Sequence, residues 1–105
     1  QLIEWKVMGI LKFEINGEKY QLHVLDEAGK FFVIFSDETS GKETYPTGRY
    51  LYVNYPDKTG MTEIDFNFSY NPPCAFTAFA TCPIPPKVNR LPISLQVGER
   101  LPKGH

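Results

Sequence analysis

The sequence predicts an all-β domain, an antiparallel barrel-like or sandwich sheet of about six strands with a long Pro/Cys-rich loop covering one end. Three observations lead there. Apolar and polar residues alternate in several short runs. Turn signals, led by Asn16-Gly17, separate those runs. Six of the nine prolines crowd between Pro72 and Pro92, where the alternation stops.

In the first run, Val7–Ile15, the residues Leu11, Phe13 and Ile15 share a side while Lys12 and Glu14 take the other. Asn16-Gly17 then supplies the two residues that tolerate positive φ in a tight hairpin. With Ile15 opposite Glu18, Phe13 meets Tyr20, Leu11 meets Leu22, Gly9 meets Val24 and Glu14 meets Lys19. Apolar faces apolar and acid faces base, so the register is specified. Asp26-Glu27-Ala28-Gly29 is a turn. Lys30–Phe35 is continuously apolar after its first residue, which fits a strand buried on both faces. Residues 36–47, rich in Ser, Thr, Gly and charge, read as an exposed loop. Residues 49–54 and 61–68 form a further pair of strands, with Ile64, Phe66 and Phe68 directed at the core and Asp65 and Asn67 away from it. Ile93, Leu95 and Val97 alternate as a short final strand. The segment between, residues 69–92, holds both cysteines and packs as an ordered loop; a short helical turn fits residues 75–81.

A chain of 105 residues fits one domain over residues 1–105. It begins with Gln1 rather than Met, so it is expected to be part of a longer protein. At 42% hydrophobic and 22% charged residues the composition is globular. A net charge of −1 and a pI near 6.1 argue against a nucleic-acid partner. No apolar run is long enough to span a membrane and no signal peptide is visible, so the expected partners include neither membrane nor nucleic acid, and the expected location is cytoplasmic.

Cys74 and Cys82 admit three readings. Two small buried apolar side chains come first, then a disulfide, then metal or redox chemistry. Zinc spacing is absent and His23 is the one imidazole within the folded region, so neither a metal nor a cofactor is expected. Arg49 ends the apolar stripe of Leu51 and Val53. It either pairs with a carboxylate (Asp37, Glu38, Asp65 or Glu99) or presents its fork to an anion. Asp65 and Asn67, followed by Tyr70 and Asn71, line the mouth of a pocket or form a solvated face ending in an Asx turn. Thr39-Ser40-Gly41 has only a loose likeness to an anion loop, because it lacks the lysine and helix of a phosphate site. No catalytic residue can be assigned.

One stretch carries more. Asp65-Phe66-Asn67, then Tyr70-Asn71-Pro72-Pro73-Cys74-Ala75-Phe76-Thr77, Ala80-Thr81-Cys82-Pro83-Ile84-Pro85-Pro86, Asn89-Arg90-Leu91-Pro92 and Gly98-Glu99 resemble the signature of a prokaryotic family, domain of unknown function 1684. Asp37-Glu38-Thr39-Ser40-Gly41, Thr44-Tyr45 and Gly48-Arg49-Tyr50-Leu51 fit the same pattern. The resemblance runs across residues 10–100 and implies the C-terminal half of a longer protein. It implies no reaction, and it makes Arg49, Asp65, Asn67, Tyr70, Asn71, Cys74, Cys82, Asn89 and Arg90 the candidate binding residues.

The first expectation for function is a small ligand-binding or accessory module, with Arg49 or Arg90 orienting a negative group on a small-molecule ligand. An enzyme built on Asp65, Asn67, Tyr70, Cys74 and Arg90 is the alternative. A structural or homodimerisation domain is the third reading, with Tyr50, Tyr52 and Tyr55 as an exposed aromatic patch.

Overall fold

The computed structural model describes residues 7–77, 82 and 84–101. Its centre is a meander of four antiparallel strands in the order β1-β2-β3-β4. These are β1 (Val7–Ile15), β2 (Glu18–Glu27), β3 (Lys30–Phe35) and β4 (Arg49–Val53). Asn16-Gly17, with φ of 51° and 83°, and Ala28-Gly29, with φ of 53° and 79°, close the two tight hairpins. Consecutive positive φ values give a turn whose twist matches that of the flanking strands. The β1–β2 register is the expected one: Ile15 opposite Glu18, Glu14 opposite Lys19, Phe13 opposite Tyr20, Leu11 opposite Leu22 and Gly9 opposite Val24.

Alternation along β2, β3 and β4 divides the sheet into two apolar faces. On the first, Leu22, Val24, Val33, Phe35, Leu51 and Val53 join Leu11 and Leu91 in the main core. On the second, Phe32, Ile34 and Tyr50 form a smaller cluster with Leu25 and Tyr70. β3 therefore needs apolar residues at nearly every position, as its sequence indicated.

The first face is covered by irregular chain, and here the structure corrects the six-strand barrel. Residues 61–68 form no strand. The Asp65 carboxylate accepts from the Asn67 N–H at 3.0 Å and caps a 3-10 turn over Phe66–Phe68. A side chain that hydrogen-bonds its own backbone competes with a ladder. The turn leaves Ile64 and Phe66 on the core but rotates Phe68 outward, 74% exposed, where a strand would have buried it. Residues 93–97 also form no strand, although Ile93 and Leu95 pack on the core. Their backbone groups have other partners: Leu95 N–H donates to Asp37 Oδ2 at 2.6 Å, while the Leu95 and Val97 carbonyls accept from Arg49. The sheet is open, with four strands among the described residues.

Residues 36–47 are also not the exposed loop expected, because Ser36, Asp37, Thr39 and Thr44 are all buried. The Thr39 carbonyl accepts from the N–H groups of Lys42, Glu43 and Thr44, which winds the segment into a compact turn. Gly48 then leads into β4 at φ 105°, where a Cβ would lie 2.2 Å from the Phe35 carbonyl oxygen. Only glycine permits that approach.

Among the described residues of 69–92 there are two 3-10 turns, Pro73–Ala75 and Lys87–Asn89, and no strand. The helical turn expected over residues 75–81 overlaps the first of these only at Ala75, and its residues 78–81 lie outside the described residues. Cys74 and Cys82 form a disulfide, with Cα atoms 6.2 Å apart. That replaces the leading reading of two buried thiols. No described helix is long and apolar enough to cross a membrane.

Candidate functional site

Arg49 belongs to the first face by strand parity, and it is 1% exposed. Its Nη2 lies 3.6 Å from Asp37 Oδ2 and donates to the Leu95 carbonyl at 3.0 Å. Nη1 donates to the Val97 carbonyl, and the guanidinium sits 5.4 Å from the centre of the Phe35 ring. Burial pushes the Arg49 pKa down, and the charge of Asp37 works against that shift. Asp37 in turn accepts from the Thr39 hydroxyl at 2.7 Å. The hydroxyls of the loosely phosphate-like loop thus serve an internal carboxylate. Arg49 fastens the C-terminal segment to the sheet, and its fork is occupied by backbone carbonyls.

Asn89 has a comparable task. The β2–β3 register pairs Leu25 with Phe32, and continued by two residues it would set His23 opposite Ile34. The Asn89 side chain occupies that position, accepting from His23 N–H at 2.7 Å and donating to the carbonyls of His23 and Ile34 at 2.9 and 2.8 Å. One buried amide supplies the hydrogen bonds of the interrupted ladder.

The remaining candidates fall in separate places. Asn71, buried, donates through its N–H to Glu99 Oε1 at 2.6 Å and through Nδ2 to the Arg100 carbonyl at 2.9 Å. Asp65 and Asn67 bond each other. Arg90 is exposed, and its backbone bridges to Ser36. Cys74 and Cys82 are joined, which removes the thiol nucleophile of the enzyme reading. The nine residues do not converge on one site.

Tyr70 lies at a concave surface. Its backbone pairs with Tyr50 in both directions, N–H to carbonyl, at 2.8 and 3.0 Å. This extends the sheet by one bridge beyond β4. Cross-strand neighbours share a face, so Glu27, Phe32, Tyr50, Tyr52 and Tyr70 gather on the second face. The Phe32 ring centre is 4.9 Å from that of Tyr50 and 5.0 Å from that of Tyr52; Tyr70 lies 5.7 Å from Tyr50 and 6.2 Å from Tyr52. With Pro73 these side chains line a hollow of about 290 Å³. An adjoining hollow of about 470 Å³ shares Tyr52 and Tyr70 and adds Lys30, Glu63, Asp65 and Phe68. Tyr50, expected on an exposed patch, is 8% exposed and forms the floor with Phe32, whereas Tyr52 is 38% exposed.

Hydrogen bonds order this surface. The Tyr52 hydroxyl donates to Glu27 Oε1 at 3.2 Å. Burial pushes the Tyr70 pKa well above the ordinary tyrosine value, and the neighbouring Tyr52 hydroxyl adds to the shift. Burial and then the charge of Glu27 raise Tyr50. A larger hollow of about 590 Å³ lies against the first hairpin, but its described lining comes from β1 and β2 alone and includes the oppositely charged pair Glu14 and Lys19. The tyrosine hollow combines buried rings with a converging carboxylate, which makes it the stronger site. Sequence reasoning reached Tyr50, Tyr52, Tyr70 and Asp65 but missed Glu27 and Phe32. The parity of β2 and β3, carried across the sheet, was the signal that places both.

The family described as Protein of unknown function (DUF1684) matches residues 2–100, and with them the segment that carries Tyr70, Pro73 and the disulfide. The chain belongs to this family. The DUF1684 chain is also similar to an uncharacterized protein of Haloarcula marismortui whose solution NMR structure was determined by a structural genomics consortium. The two are 36% identical with a TM-score of 0.74, over 91% of this chain and 56% of the other. This chain therefore spans just over half the length of that protein. Comparison with curated proteins gave no match.

Proposed function

We propose that this domain is a small-molecule-binding module whose site is the tyrosine-lined hollow on the second face of the sheet. One observation carries the reading. Phe32 and Tyr50 form a buried aromatic floor, Tyr52 and Tyr70 form partly open walls, and Glu27 stands at the rim; strand register fixes all but Tyr70, which one bridge to Tyr50 holds. Preformed concave aromatic surfaces with a few oriented polar groups are where small ligands bind. Asp65 belongs to the site through the adjoining hollow. The role first expected of Arg49, orienting an anion, is not part of the proposal, because its donors face the Leu95 and Val97 carbonyls.

Thermal shift with a panel of cationic, neutral and anionic compounds tests it. A ligand held at about 100 times its Kd stabilises by about 2.7 kcal/mol, enough to move the transition by several degrees. At least one class should stabilise the native protein and leave Tyr52→Ala unchanged. Equal stabilisation of both proteins, or of neither, would refute the site.

Homodimerisation is a second reading, favoured by Phe68, which is 74% exposed beside the adjoining hollow. A mass that stays monomeric in light scattering as concentration rises would remove it. The disulfide bears on location: it supports an oxidising compartment over the cytoplasm, where thiols are kept reduced. Alkylation of protein from its natural source, read by mass, tests that part. Two freely alkylated cysteines would contradict it.

A further inference from the structure

Resting on the reading just given, we infer that the tyrosine hollow takes an organic cation, an alkylammonium or quaternary ammonium group. Its lining decides the sign of the ligand. Of the six described residues around the smaller hollow, Glu27 is the one that carries a charge, and the rest are three tyrosines, a phenylalanine and a proline. Aromatic faces are the negative part of the ring quadrupole, so rings grouped around a cavity attract cations. A carboxylate at the rim adds to that field.

The hydrogen bonds point the same way. Tyr52 donates to Glu27, so its hydroxyl proton is directed at the carboxylate. That leaves the Tyr52 oxygen lone pairs and the ring faces toward a ligand. An anion would need donors instead. The raised pKa values of Tyr50 and Tyr70 keep both phenols neutral at physiological pH.

Among the described residues, Glu27 also has no cationic partner. Lys30 lies directly across the turn from it in the β2–β3 register. Yet Arg49–Asp37 is the one ion pair among the described residues. The described lining of the adjoining hollow sets Glu63 and Asp65 against one cation, Lys30, so its charge is negative too. A volume of about 290 Å³ suits a trimethylammonium head, and the adjoining space suits the chain attached to it.

Calorimetry with choline, its neutral isostere 3,3-dimethylbutan-1-ol and benzoate tests the inference, using the native protein, Glu27→Gln and Tyr52→Leu. Choline should bind roughly tenfold more tightly than the isosteric alcohol, the contrast expected of a cation–π site. Glu27→Gln should weaken choline several-fold and leave the alcohol unchanged, and Tyr52→Leu should weaken both. If the alcohol or benzoate binds as well as choline, and Tyr52→Leu abolishes it, the charge preference is wrong and the binding site stands. If none of the three binds, the inference falls and the proposed site falls with it. Thermal melts of both variants exclude loss of fold as the cause.

Discussion

Burying the Arg49 guanidinium and the Asp37 carboxylate costs several kcal/mol of hydration per ion, which mutual attraction alone rarely recovers. The cost is offset because both groups are saturated with hydrogen bonds: Arg49 by the Leu95 and Val97 carbonyls, Asp37 by the Thr39 hydroxyl and the Leu95 N–H. Removing one partner leaves the other charged and unmatched. Arg49→Leu should therefore destabilise the domain by about 3–5 kcal/mol in urea denaturation. A loss under about 1 kcal/mol would mean that the C-terminal segment is held by its apolar contacts. An arginine at the end of an apolar stripe was legible from the sequence, and so was Asp37 as one of four partners. That the pair fastens residues 95–97 was not, since nothing local in the sequence relates positions so far apart.

At the scale of elements, legibility followed the range of the interactions. The first hairpin was readable to the residue, because Asn16-Gly17 and the apolar and charged pairs flanking it are all short-range. Residues 61–68 and 93–97 were readable as core-facing segments but not by backbone type. Ile64, Phe66, Ile93 and Leu95 do reach the core. Their ladders are missing because Asp65, Asp37 and Arg49 take the backbone groups a strand would have paired. The disulfide belongs to this scale as well. It closes a loop with a sequence separation of 8, next to Pro73 in the wall of the hollow. By loop entropy the link contributes about 2–3 kcal/mol. Cys74→Ser with Cys82→Ser should lower stability by that amount in a denaturant titration, whereas an unchanged midpoint would show that the prolines alone fix the segment.

At the scale of the molecule, the described residues build one open sheet whose two faces have different coverings. Irregular chain pinned by Arg49, Asp37 and Asn89 closes the first face into a core. Among the described residues, the second is an aromatic surface that Tyr70 packs against. That arrangement has a consequence in alkaline solution. Tyr50 and Tyr70 bind their protons more tightly when folded, with pKa values raised above the ordinary value of 10.0. Below the unfolded pKa both states are protonated and the full stability is present. As pH rises past about 10 the unfolded chain ionises first, so stability falls toward the folded pKa values. The urea midpoint should be lower at pH 10.5 than at pH 8, and native tyrosinate absorbance should lag that of the unfolded chain. Six tyrosines titrating together near pH 10 in the native protein would contradict this.

The central claim, that the tyrosine hollow on the second face binds ligand, is tested most directly by backbone amide shifts during a choline titration. Perturbations are expected at Glu27, Phe32, Tyr52 and Tyr70, with Leu22, Val33 and Leu51 unmoved. Shifts gathered instead at the hairpin hollow between Lys12 and Gln21, or absent from the second face at saturating choline, would contradict the account.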